Sequence, residues 1–334
     1  MTFDELPQRL GGDPIRPFMV AYGLGVDSTA MLVALARRYR AGAVECRPDA
    51  ILFADVGDEK PPTYAYLPVM QEYLARVGFP QVHVVRYEPK FAKYHTLYEN
   101  CIVNKTLPSL AFGYKKCSLK FKRQPQDKWT RHWDMAQLAW KAGLTVIKAI
   151  GYDAGPKDAR RAHIQDDKQY HYWYPLAELG WVREQCMEEI RKEGLPVPVK
   201  SACFFCPSMK PDEVIELCRE HPELGWKIIE METNAAPNNT TIEGLWRCAT
   251  RARPGSISEF IRQRGLLAGV GGREEHGVGD GSVDQPAHAD RGDVPNTVPV
   301  GAVSVREAGS GNEEDRGGVE EGAPSLCHGC GCPD

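Results

Sequence analysis

No stretch of this 334-residue chain approaches the ~20 consecutive apolar residues of a membrane-spanning helix. Nothing from Met1 to Arg9 reads as the hydrophobic core of a signal peptide, so no membrane partner is expected and the cytoplasm is the expected compartment. Thiols stay reduced there, so the eleven cysteines are expected as metal ligands, reactive thiols or core residues rather than disulfides. No internal repeat is evident. From Ala268 onward aromatic residues vanish, periodicity is lost, and roughly half of the 32 glycines accumulate. Such a stretch buries too little apolar surface to fold, so residues 268–334 are expected to be a disordered, Gly-rich acidic tail ending in Cys327, Cys330 and Cys332. The tail holds four basic and thirteen acidic residues, which conceals a basic body beneath the formal charge of −4. A body of that sign accommodates an anionic partner.

What is present is organised around residues 20–30. Residues 16–22 read as a short buried strand, and the apolar run from Ala30 to Ala36 suits a buried helix. Between them lies a tight loop holding Gly23, Gly25, Asp27, Ser28 and Thr29. A strand, a glycine turn and a helix N-terminus make an anion site, because free N–H groups and the helix dipole point the same way. The loop lacks the Gly-Lys-Ser/Thr of a Walker loop and the G-x-G-x-x-G of a dinucleotide fold. An aspartate repels phosphate, so Asp27 makes chemical sense if Mg²⁺ lies between them. A plain strand-to-helix turn with Asp27 or Ser28 as N-cap fits these residues equally well.

Further strands are expected at 49–55, 81–87, 144–150 and 172–176, and helices at 61–77 and 179–194. This alternation predicts an α/β fold: a doubly wound, mostly parallel sheet with helices on both faces, followed by a helical C-terminal part. Ligands sit beyond the carboxyl ends of such strands, where Gly23 and Asp55 both fall. The expected organisation is an N-terminal extension (1–15), a nucleotide-binding domain (16–178), a helical region with a Cys-x-x-Cys (179–267) and the tail. Residues 90–108 show little periodicity and read as a substrate-facing loop. Trp129, Trp133, Leu138, Trp226, Trp246 and Cys186 are expected in the core. Two helices are expected over 211–231 and a last one over 256–267.

Cys117 lies inside the basic cluster of residues 115–123, where positive neighbours favour a thiolate. Cys203 and Cys206 form a Cys-x-x-Cys, which brings two thiolates onto one metal or cluster. Half of a site is visible here, and Cys101, Cys117, Cys218 or Cys248 could complete the set.

These elements together resemble the PAPS reductase family of the PP-loop, or adenine-nucleotide α-hydrolase, superfamily. Gly25, Val26, Asp27 and Ser28 match the Ser-Gly-Gly-x-Asp-Ser loop, with Gly23 and Leu24 standing where the family has Ser and Gly. Leucine resists the φ > 0 open to glycine, which leaves the loop geometry at 24 open. Residues 55–64 resemble Asp-Thr-Gly-x-x-x-Pro-x-Thr-Tyr. Cys117 to Pro125 resembles Cys-x-x-Arg/Lys…Pro, and residues 151–161 resemble Gly-Ile-Arg-x-x-Glu…Arg, with Tyr152 and Asp153 replacing Ile and Arg. The resemblance implies nucleotide contacts from Gly23, Gly25, Val26, Asp27, Ser28, Thr29, Asp55, Gly57 and Gly151, and from Arg160 or Arg161. It implies catalytic roles for Asp27, Ser28 and Lys120, with Mg²⁺-ATP as cofactor. It implies an iron–sulfur cluster or zinc on Cys117, Cys203, Cys206 and Cys101.

Three activities are compatible with it. The first is ATP cleavage at the α-phosphate with release of pyrophosphate, coupled to sulfur or group transfer, with tRNA or DNA as a nucleic-acid acceptor and a separate sulfur donor. The second is thiol-dependent reduction of PAPS or APS to sulfite with a thioredoxin-like reductant. That chemistry needs a C-terminal Glu-Cys-Gly-x-His element, of which Cys327-His328-Gly329 is a loose echo. The third is a non-catalytic nucleic-acid-binding or redox-sensing module.

Overall fold

The computed structural model describes residues 1–6 and 16–268, which fall in a compact unit spanning Met1–Arg273. The expected tail beyond residue 268 lies outside the described residues, as do residues 7–15. Strand β1 (Phe18–Tyr22) leads into helix α1 (Val26–Arg40), β2 (Ala50–Asp55) into α2 (Pro61–Val77), and then into β3 (Val82–Arg86). Helix α3 (Leu97–Val103) follows, then α4 (Lys116–Ser118), a π-helical turn (Leu119–Arg123), α5 (Gln124–Arg131) and α6 (Asp134–Lys141). The chain then returns to the sheet through β4 (Val146–Ile150), α7 (Pro156–Ala159) and β5 (Tyr170–Trp173). Helices α8 (Pro175–Glu178), α9 (Arg183–Lys192), α10 (Pro211–Glu220), α11 (Pro222–Ala235) and α12 (Ile257–Gln263) complete the unit.

The five strands pair entirely in parallel, in the order β3-β2-β1-β4-β5. Met19 lies opposite Ala50 on one side and Lys148 on the other. A sheet buried on both faces needs apolar residues at nearly every position, and β1, β2 and β4 are built that way. Phe18, Val20 and Tyr22 enter the core shared with α1, α2 and α9, whereas Met19 joins Leu52, Val146 and the tryptophans of α5 and α6 on the opposite face. The expected α/β architecture is therefore the observed one. Phe3 and Leu6 pack into the first of these cores, with Phe3 edge-on to Trp173 at 4.9 Å. Among the described residues no helix is long and apolar enough to cross a membrane.

A third core joins α3, the π-helical turn and α10 to α12. It holds Phe121, Phe205, Trp246 and Phe260, and it carries the sulfur-bearing segments. Helix α3 occupies the stretch read as a loop; its signal is local, since Thr96 and Glu99 form a capping box. Leu138 and Trp226, expected in the core, are 64% and 47% exposed. The helix that would have buried Leu138 stops at His132 and restarts at Asp134 on a different phase. Cys186 and Trp246 are buried as expected.

Glu232 is buried in α11, and its two carboxylate oxygens accept from the N–H groups of Leu245, Ile257 and Ser258 and from the Ser256 hydroxyl. It pins the irregular segment before α12 onto α11. Glu232→Ala leaves three buried N–H donors and the half-buried Ser256 hydroxyl without this acceptor and should cost more than about 3 kcal/mol, whereas Trp226→Ala should cost less than about 1 kcal/mol. Urea unfolding of both variants checks the order; a larger loss for Trp226→Ala would contradict this packing.

Candidate functional site

The chain runs outward from β1 to β3 and then crosses back to place β4 on the other side of β1. Ligands of open parallel sheets bind at this reversal, beyond the strand ends. A cavity of about 320 Å³ lies there, lined by Tyr22 of β1, Phe53 and Ala54 of β2, and Ile150 of β4. Gly23, Gly25, Asp27, Ser28, Gly151 and Arg161, all singled out in the sequence, line it too.

The loop is closed by its own hydrogen bonds. Gly23 N–H donates to Ser28 Oγ at 3.1 Å, and Ser28 Oγ lies 3.2 Å from the Gly25 carbonyl. Leu24 takes φ 55°, the left-handed conformation that leucine resists, with its side chain fully buried. That backbone costs about 1–2 kcal/mol, and burying the side chain returns about 1.5–3 kcal/mol. Leucine thus holds the turn at the position where the family pattern has glycine. Gly151 presses against this loop: a Cβ there would lie 2.7 Å from Ser28 Cα and 2.8 Å from Ser28 N. Only glycine allows that approach without moving backbone.

Asp27, Asp153 and Asp158 place carboxylate oxygens within 4.8 Å of one another. Arg183 donates to Asp27 Oδ2 at 2.8 Å, and Arg161 donates to Asp158 Oδ1 at 2.8 Å. Asp27 Oδ1 is buried without a hydrogen-bond partner. Burial pushes the Asp27 carboxyl above the usual aspartate value, Arg183 draws it back, and Asp153 and Asp158 push it up again. A hard divalent cation such as Mg²⁺ takes oxygen ligands and relieves both the repulsion and the orphaned oxygen, so these residues fit it. Asp153, Asp158 and Arg183 were missed in the sequence. Their only signals are an aspartate where the family pattern has arginine and a cation on a helix otherwise read as packing.

Lys122 also lines the cavity, and its ammonium lies 3.0 Å from Glu59 Oε1. Ser201 donates to the other Glu59 oxygen at 3.3 Å. Burial opposes charge on Lys122, but Glu59, Cys203 and Cys206 outweigh it and hold the ammonium protonated. The loop carrying Glu59 is stitched to the Cys-x-x-Cys segment: Lys60 N–H donates to Ala202 O, and Phe204 N–H to Asp58 O. One ion pair, with its carboxylate buried and its ammonium half-exposed on the cavity wall, therefore links this cavity to the cysteine loop.

Other expected residues fall elsewhere. Thr29 is fully buried with its hydroxyl 3.1 Å from Tyr22 Oη, and Val26 lies in the core. Asp55 is buried and occupied, accepting from Gly57 N–H, Tyr64 Oη–H and Arg86 Nε–H. Gly57, at φ 82°, packs against Thr96, where a Cβ would meet Cγ2 at 2.5 Å. Arg160 is exposed and outside the cavity lining, so Arg161 is the arginine of the pair that reaches it. Lys120 is aimed away from this cavity, with its ammonium 2.5 Å from Tyr94 Oη and over the Tyr87 ring; Lys122 stands in the cavity instead.

Cys101, Cys117, Cys203 and Cys206 all pack on the third core, and all are free thiols. Among the described residues no three of them bring sulfur atoms within 4.8 Å of one another. A tetrahedral zinc with Zn–S near ~2.3 Å needs closer thiolates than that. A multi-iron cluster anchors its thiolates on different irons and spaces them more widely. Burial pushes the Cys101 thiol up to about 12 and Cys203 well above the ordinary thiol value. No protein-family model matches this chain, and no curated protein matches it.

Asp58, on the same stitched loop, is buried, and burial raises its carboxyl from 3.8 to about 6 against the hydrogen bond from Tyr98 N–H. The folded value lies above the unfolded one, so its stabilising contribution is full below about pH 4 and is lost as pH rises through about 6. Asp58→Asn keeps the acceptor and removes the charge. It should stabilise the fold by about 1–3 kcal/mol at pH 8 and hardly at all at pH 4. Urea unfolding at both pH values checks this, and equal effects at the two would refute it.

Proposed function

We propose that the chain is an adenine-nucleotide enzyme of the PP-loop class, akin to the PAPS reductase family. In this reading it binds Mg²⁺-ATP in the reversal-point cavity and cleaves it at the α-phosphate. The observation that carries the reading is Asp27. A buried, unpartnered carboxylate oxygen sits among two further aspartates at the edge of an anion-binding loop. Mg²⁺ held by Asp27, Asp153 and Asp158 would neutralise phosphate charge there. The loop N–H groups, Ser28, Arg161 and Lys122 are the remaining donors for phosphate oxygens. Phe53 and Ala54 offer backbone and an apolar wall for the adenine.

The reaction follows from that placement. An oxygen of the acceptor attacks the α-phosphorus, the bond to the bridging oxygen breaks, and pyrophosphate leaves with the electron pair. Sulfur or another nucleophile then displaces the adenylated oxygen, and AMP leaves. In this reading Cys101, Cys117, Cys203 and Cys206, which pack on one core, would hold the iron–sulfur cluster.

Asp27→Asn and Arg161→Ala should each weaken Mg²⁺-ATP binding at least about tenfold, close to 1.4 kcal/mol, with unchanged thermal unfolding. Calorimetry and pyrophosphate release check this. Sulfite release from PAPS without pyrophosphate from ATP would favour the reductase instead. Anaerobic purification should yield a brown protein containing iron and sulfide, and replacing any one of the four cysteines by serine should remove most of the iron. Zinc alone in the intact chain would refute the cluster.

A further inference from the structure

A second cavity, of about 750 Å³, lies beside the first. One segment separates them. Ser118 and Lys122 line the nucleotide cavity, whereas Lys116, Cys117, Lys120 and Phe121 line the larger one. The π-helical turn Leu119–Arg123 lies in this partition, and such turns recur where a helix must present side chains off its regular phase.

The wall of the larger cavity has three properties. Lys116 and Lys120 stand in it, no carboxylate does, and among the described residues neither lysine is ion-paired. A third cation is close: the Arg247 guanidinium lies 3.4 Å from where a Cβ on Gly113 would be. The ring of Tyr114, the next residue, also lines the cavity and is 62% exposed, with the Lys116 ammonium 6.0 Å from its centroid. Finally, the amides of Asn100 and Gln124 supply donors and acceptors between the charges and the rings.

Unbalanced cations select phosphate, and an open aromatic face beside them selects a stacked base. A duplex keeps its bases against one another and offers no free face, whereas a single strand offers face and phosphate alternately. We infer that this cavity and the rim from Phe112 to Lys116 bind single-stranded nucleic acid, with an unpaired base against Tyr114 and backbone phosphates on Lys116, Lys120 and Arg247. That this strand is the acceptor rests on the nucleotide-cleaving reading of the neighbouring cavity; the binding itself does not.

The test uses the full chain and fluorescein-labelled mixed-sequence oligonucleotides, single-stranded DNA, single-stranded RNA and duplex DNA, read by anisotropy over a salt series. Single strands should bind more tightly than duplex, and comparison of the DNA and RNA arms identifies the natural source. Tyr114→Ala should weaken single-strand binding about fivefold or more. Lys116→Gln should weaken it and lower the salt slope by about one. Neither residue lines the nucleotide cavity, so Mg²⁺-ATP affinity should stay unchanged in both variants. Equal binding of duplex and single strand, or full affinity in Tyr114→Ala, would overturn the inference. ATP binding without oligonucleotide binding overturns it alone, and oligonucleotide binding without ATP binding overturns only the reading of the first cavity.

Discussion

Gly151 and Ser28 meet backbone to backbone, with no room for a side chain between them. That contact joins the end of β4 to the loop after β1, across the point where the strand order reverses. It sets how closely α1 approaches β4 and hence the floor of the smaller cavity. The loop above is tightened by Ser28, which accepts from Gly23 and reaches the Gly25 carbonyl, and by the left-handed turn at Leu24. The buried leucine side chain anchors the strained residue in the core, so strain and packing act on the same atom group.

The remaining architecture is a matter of joining the two cores of the sheet to a third. The sheet and its flanking helices form one body of packing; α3, α10, α11 and α12 form another, with the cysteines on it. Glu59 and Lys122 connect them through an ion pair with a buried carboxylate and a half-exposed ammonium, extended by Ser201 and by the pairing of residues 58–60 with the cysteine loop. Such a pair adds little net stability but fixes registry, because the Glu59 carboxylate alone would be an uncompensated buried charge. Its position puts Lys122 on the wall of the smaller cavity and near Cys203 and Cys206.

Charge is distributed to match. The smaller cavity carries acids and bases together. The larger cavity carries lysines without carboxylates. A short partition therefore faces an acid-and-base site on one side and a purely cationic one on the other, with Cys117 on the cationic side.

The α/β class, four strand positions and the extent of α2 were legible in the sequence, because strand periodicity, buried apolar runs and the proline pair at 61–62 are local signals. The placement of Gly23, Gly25, Asp27 and Ser28 at a strand-to-helix turn was legible for the same reason. Thr29 could not be told from Ser28 by chemistry, since both are hydroxyls; only the phase of α1 turns Ser28 to the cavity and Thr29 to Tyr22. Lys120 and Lys122 sit in one basic run, and the helical phase of the π turn alone decides which reaches the smaller cavity. Leu138 and Trp226 kept helical spacing but not a neighbour to pack against. By itself the sequence determined the fold class, most element types and the residue types of the loop, which depend on residues close along the chain. Tertiary structure alone decided that Asp153, Asp158 and Arg183 converge on Asp27 and that Glu59 pairs with Lys122. Those encounters join residues far apart in sequence through strand order and core packing, which no local pattern encodes.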